Sequence, residues 1–87
     1  MIDIFSLEKY LDWFVRVESP NGEIDEGAFV GYDGPSFDPD EEGEDVIMLN
    51  MKAPDGDFYL LSFESADIAE FTPIRKATKE ELGMWGR

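Results

Sequence analysis

The chain has 87 residues, with 21 acidic against 7 basic side chains for a formal net charge of −14, and 43% hydrophobic residues of which many are aromatic. That length allows one domain, and the aromatic content is enough to fill its core despite the charge. The charge sets the chain against phosphate backbones and anionic lipid, so direct nucleic-acid or membrane binding is not expected, and with no Cys or His the usual thiolate and imidazole chemistry is excluded.

Read along the chain, Leu7, Tyr10, Leu11 and Phe14 recur at helical spacing behind Ser6, which predicts a short amphipathic helix over Ser6 to Asp12. The period then changes to two. Val15 and Val17 alternate with Arg16 and Glu18, Ser19-Pro20-Asn21-Gly22 supplies a turn, and a second strand is expected from Glu23 to Tyr32. Gly27 falls inside that strand, where a missing side chain allows a sharp bend or a bulge.

Asp33 to Glu44 carries two Pro, two Gly and a dense run of acids, and reads as a loop. Asp45 to Lys52 is apolar on both parities and reads as a central strand or one covered on both faces. After a turn over Ala53 to Asp57, Phe58 to Phe63 predicts a fourth strand that completes a second hairpin. Ser65 to Asp67 fits one helical turn, and Glu70 to Ile74 a fifth strand, whose Pro73 belongs at an edge because it has no N–H for a ladder. Thr78 and Glu81 have capping-box spacing, so a final short helix is expected to carry Leu82, Met84 and Trp85. The division expected is a helix over 6–12, a five-stranded β region over 13–74 and a basic tail over 75–87.

A helix followed by five strands, the second strongly bent, resembles the small β-barrels of the SH3-like and Sm-like superfamily. Val15, Val17, Gly22, Gly27, Phe29, Tyr32 and Asp33 look like the first Sm motif, and Tyr59 to Phe71 is faintly similar to the second. The likeness runs from about Phe5 to Ile74 and implies a mainly β fold, a five-stranded antiparallel barrel with short helices at both ends. The departures fall on the positions that line the RNA site in that superfamily. Ile24 comes one place early, Ser36-Phe37 stands where Met-Asn is usual, and Glu64-Ser65 replaces Arg-Gly. What the resemblance implies is therefore a fold without RNA binding.

The charge is also uneven. Between Val17 and Met51 there are eleven acids and no Lys or Arg, while Arg75 to Arg87 holds four bases and two acids. A single-sign field of this kind steers basic partners. The expected site is a partner-binding surface made by Asp38, Asp40, Glu41, Glu42, Glu44 and Asp45, with Trp85 as an aromatic anchor in the tail. The expected partner is a basic protein surface, in the sharper version that of a nucleic-acid-binding protein whose phosphate site the carboxylates imitate. No catalytic residue, cofactor or metal is assigned.

Two alternatives follow from other features. The apolar run from Val46 to Met51, together with the edge at Pro73, fits a homo-oligomer assembled through edge strands. Asp38, Asp40 and Glu42 before Gly43 resemble the start of a calcium loop and suit a small-ligand or calcium-binding module, but Leu49 stands at the twelfth place where the loop needs Glu. The amino end has no basic region followed by an apolar run, and the absence of Cys suits a reducing compartment, so a cytoplasmic protein is expected.

Overall fold

The computed structural model describes residues 3–35, 38–40 and 42–83. Five antiparallel strands form one sheet: β1 (Trp13–Glu18), β2 (Ile24–Asp33), β3 (Val46–Lys52), β4 (Phe58–Glu64) and β5 (Glu70–Lys76), in the spatial order β4-β3-β2-β1-β5. A 3-10 helix (Ile4–Tyr10) precedes the sheet, a 3-10 turn (Ser65–Asp67) joins β4 to β5, and a short helix α1 (Lys79–Leu82) follows. Among the described residues no ladder joins β4 to β5, so the sheet has two ends and is not closed by hydrogen bonds.

The amino-terminal element is tighter and earlier than the predicted helix. Asp3, and not Ser6, caps it, accepting the Phe5 N–H at 3.0 Å. Three residues per turn bring Ile4, Leu7 and Tyr10 into one stripe, which an α-helix would spread apart, and Ile4 and Leu7 are buried. Phe14 is not part of that stripe; it lies in β1. Between helix and strand, Asp12 takes a positive φ of 73°, a conformation that Asp enters more readily than most residues. Its N–H donates to the Phe29 carbonyl at 2.8 Å and its own carbonyl accepts from Ala77 N–H at 3.0 Å, so this one residue ties β2 to the link that follows β5.

The bend in β2 has two separate causes. Opposite β3, Phe29 pairs with Leu49 but Gly31 pairs with Met48, leaving Val30 as the extra residue of a bulge. The bulge switches parity, so that Phe29 and Tyr32 both face the core, with ring centroids 6.4 Å apart. Gly27 has a different role from the bulge foreseen there. A Cβ on it would stand 2.9 Å from the Asn50 carbonyl oxygen and 2.7 Å from the Met51 sulfur, so glycine is what lets β3 fold in over β2. A second register shift lies between β1 and β5, where Ile74 is the extra residue.

Each face of the sheet carries its own cluster. On the inner face Val15, Val17, Phe29, Ile47, Leu49, Met51 and Phe63 pack with Ile4, Leu7 and Ile68. Ring contacts of 5.8–6.4 Å run through it from Trp13 to Tyr10, Phe71, Phe29 and Tyr32. On the outer face Ala28 and Val30 are covered by Leu82 of α1 and by Ala77. β3, flanked on both sides by strands, buries Ile47, Leu49 and Met51 on the inner face, while Val46 and Met48 of the other parity are half-buried. Pro73 lies on β5, which among the described residues is an end strand paired only with β1, as its missing donor requires.

Candidate functional site

The acidic segment between β2 and β3 is anchored at its base and open beyond it. Gly34, buried with φ of 130°, faces Asp45 so closely that a Cβ there would stand 2.5 Å from the Asp45 Cα. The two stems are thereby pinched together. Within the loop, Asp38 N–H donates to the Gly34 carbonyl at 2.9 Å, and the Asp38 carboxylate accepts Asp40 N–H at 3.1 Å. Asp38, Asp40, Glu42 and Glu44 are exposed and Asp45 is half-buried. Of the other residues expected to contribute, Glu41 and Trp85 lie outside the described residues.

The fold adds acids that are distant in sequence. Asp33 and Glu64 both pair with Val46, so they flank it in one cross-strand row where the loop joins the sheet. Two ladder spacings put them about 10 Å apart. The hairpin centred on Ala53 to Asp57 fixes Glu64 opposite Val46, a relation that counting outward from the turn would have revealed. Glu8 comes from the amino-terminal helix, where its carboxylate accepts the Tyr32 hydroxyl at 3.1 Å.

Three of the bases are ion-paired elsewhere. Arg16 pairs with Glu26 at 2.9 Å, Lys52 with Glu80 at 3.2 Å and Arg75 with Glu81 at 2.7 Å. None of these ion pairs involves an acid of the loop. All three belong to the outer face, where one row crosses the whole sheet as Arg75, Phe14, Ala28, Asn50 and Leu60. Helix α1 lies over that row. Asn50, the buried polar side chain of β3, donates to the Glu81 carbonyl at 2.8 Å, while Arg75 of β5 holds the Glu81 carboxylate and stacks 4.5 Å from the Phe14 ring. Thr78 completes the capping box read from the sequence. Its hydroxyl accepts Glu81 N–H, and Glu81 accepts Thr78 N–H. The Arg75 hydrogen bonds, assisted by those from Thr78, hold the Glu81 carboxyl down to about 2.

Beside α1 a pocket of about 300 Å³ is lined by Phe14, Phe58, Asn50, Lys52, Glu26 and Glu80. Its charged groups are already paired, Glu26 with Arg16 and Lys52 with Glu80, so the pocket presents aromatic walls and a neutralised rim. Among the described residues no group of three or more acids is placed to hold a metal ion, and no helix is long and apolar enough to cross a membrane. Comparison of the chain with known protein families, with curated proteins and with solved structures found no match.

Proposed function

We propose that this chain is a non-enzymatic, acidic protein-interaction module that binds a basic surface, of the kind that on a partner would otherwise receive nucleic-acid phosphates. The observation that carries the reading is the separation of charge. Asp38, Asp40, Glu42 and Glu44 stand exposed on a loop pinched at Gly34 and Asp45, with Asp33 and Glu64 at its base level with Val46, while the ion-paired bases lie further along the outer face, level with Asn50 and Lys52 around α1. Such a surface speeds and orients encounter with a cationic patch, and its affinity falls with salt. The scaffold is read as a small barrel of the SH3-like and Sm-like kind, supported by a helix followed by five antiparallel strands and by the bend in β2. A chain without Cys is suited to the reducing cytoplasm.

The test is capture of proteins from a cell lysate on the immobilised chain at rising salt, beside a variant with Asp38→Asn, Asp40→Asn, Glu42→Gln and Glu44→Gln. Basic proteins retained at low salt by the native chain and lost by the variant are the expected result. Equal retention by both removes the loop from the account.

A second reading, a homo-oligomer built through edge strands, draws on the two free sheet ends and on Tyr59 and Leu60, which are exposed on β4. Light scattering separates the two. A stable assembly at low micromolar concentration favours the oligomer, and a monomer favours the binding module.

A further inference from the structure

The two ends of the sheet are protected to different degrees. On β5 the edge carries Pro73, a register shift at Ile74, and Arg75 and Lys76, all devices that discourage another strand from adding. None of these occurs on β4. Its sequence, Phe58 to Glu64, has no Pro, Lys or Arg, and it pairs with β3 without interruption from Lys52↔Phe58 to Val46↔Glu64. Among the described residues, one long side of β4 is thus without a strand partner.

A groove of about 520 Å³ runs beside it. Leu61, Ser62 and Phe63 all line it, three consecutive residues of one strand. Successive side chains point to opposite faces, so three in a row border one groove only if it follows the strand edge. Across from them stands the β1–β2 turn with Glu23 and Asp25, and one wall is closed by the 3-10 turn with Asp67. The ionisable side chains lining the groove, Glu23, Asp25 and Asp67, are all acidic. The Asp67 carboxylate is fixed in place by accepting the Glu64 N–H at 3.0 Å.

From this we infer that the groove receives an extended, Lys- or Arg-containing segment of the partner protein, which adds as a strand to the free edge of β4. Main-chain hydrogen bonds to β4 supply a sequence-tolerant part of the affinity, and basic side chains at alternate positions meet Glu23, Asp25 and Asp67. Charge complementarity selects this occupant over a second copy of the chain, which carries −14 itself. The inference rests on reading the chain as an acidic binding module. It names a site for the partner's backbone at a strand edge, apart from the loop.

The probe is a synthetic peptide alternating Lys and Val over seven residues, titrated into the full 15N-labelled chain, beside the same peptide N-methylated at alternate amides and an all-Gln/Val control. The expected result is shift changes concentrated at residues 61–63 and slowed exchange of β4 edge amides. Binding should weaken about tenfold or more with the N-methylated and Gln peptides, and about tenfold for the variant Glu23→Gln with Asp25→Asn. Glu23 is exposed and Asp25 half-buried, so the melting temperature of the variant is measured beside that of the native chain to show that the fold is kept. Shift changes confined to the loop, or the appearance of a dimer through β4, overturn the groove as the site. Loop-dependent capture of basic proteins that survives Glu23→Gln with Asp25→Asn also overturns it while leaving the acidic-module reading intact. Absence of any binding to peptide and of any loop-dependent capture overturns both.

Discussion

Arg75 on β5 donates from both terminal nitrogens to the two carboxylate oxygens of Glu81 on α1, each at 2.7 Å. Because Asn50 on β3 holds the carbonyl of the same Glu81, a four-residue helix too short to be stable alone is fastened to the sheet at points on either side of β1 and β2. Leu82 is thereby kept over Ala28 and Val30.

Removing the two fasteners should have unequal effects. Asn50 is buried and its amide is committed to Glu81, so Asn50→Ala should cost about 1–3 kcal/mol, the usual range when a buried bond is broken and a partner is left unsatisfied. Arg75→Gln breaks a bidentate pair that is half in solvent, and should lower stability less. Urea unfolding of the two variants checks the order, and a larger loss for Arg75→Gln would contradict it.

The depressed Glu81 carboxyl gives a pH dependence of definite sign. A carboxyl whose folded-state value is about 2, against an ordinary 4.5, stabilises the fold fully above the ordinary value. That contribution fades as pH falls from about 4.5 to about 2. The stability gap between the native chain and Glu81→Gln should therefore be constant at higher pH and close across that window. Measuring the difference between the two proteins cancels the opposite trend from relief of net negative charge. A gap that persists to the bottom of the window would contradict the assignment.

Gly27→Ala should destabilise by about 1–3 kcal/mol, because its new methyl meets a backbone oxygen that cannot swing aside. Gly22→Ala is the informative control, since nothing lies within 4 Å of a Cβ there and only its φ of 90° is strained. Thermal unfolding of both variants separates crowding from backbone strain. Similar melting temperatures for Gly27→Ala and the native chain would remove the close approach from the account.

Neutralising the loop should not harm the fold. The variant with Asp38→Asn, Asp40→Asn, Glu42→Gln and Glu44→Gln removes exposed charges from a chain of −14, and Asn at position 38 can still accept the Asp40 N–H. Surface changes of this kind stay within about 0.5 kcal/mol each, and reduced repulsion acts in the stabilising direction. A melting temperature equal to or above that of the native chain at low salt is expected. A clear fall would mean that the loop acids hold structure.

Much of the fold was legible because local signals agreed with one another. Alternation at Val15 and Val17, the turns at Ser19 to Gly22 and Ala53 to Asp57, the Thr78–Glu81 cap and Pro73 at an edge each follow from one residue type and its neighbours. The amino-terminal helix begins earlier than predicted because the stripe of Leu7 and Tyr10 runs back to Ile4 at period three and does not run on to Phe14. Gly27 marked the bend, but the bulge at Val30 depends on pairing with β3, which no short window contains. The candidate site divides in the same way. The loop acids are contiguous, and Glu64 at their base follows from counting outward from the turn at Ala53 to Asp57, whereas the fastening of Glu81 by Asn50 and the groove beside β4 exist only once distant strands are in register.

Competition between this chain and DNA tests the central claim most directly. A basic protein captured at low salt is bound to labelled duplex DNA, and the chain is added in increasing amounts. The account predicts that the DNA is released, that release needs more of the chain as salt rises, and that the loop-neutralised variant releases none. A ternary complex in which chain and DNA are bound together, or release as strong with the neutralised variant, would contradict it.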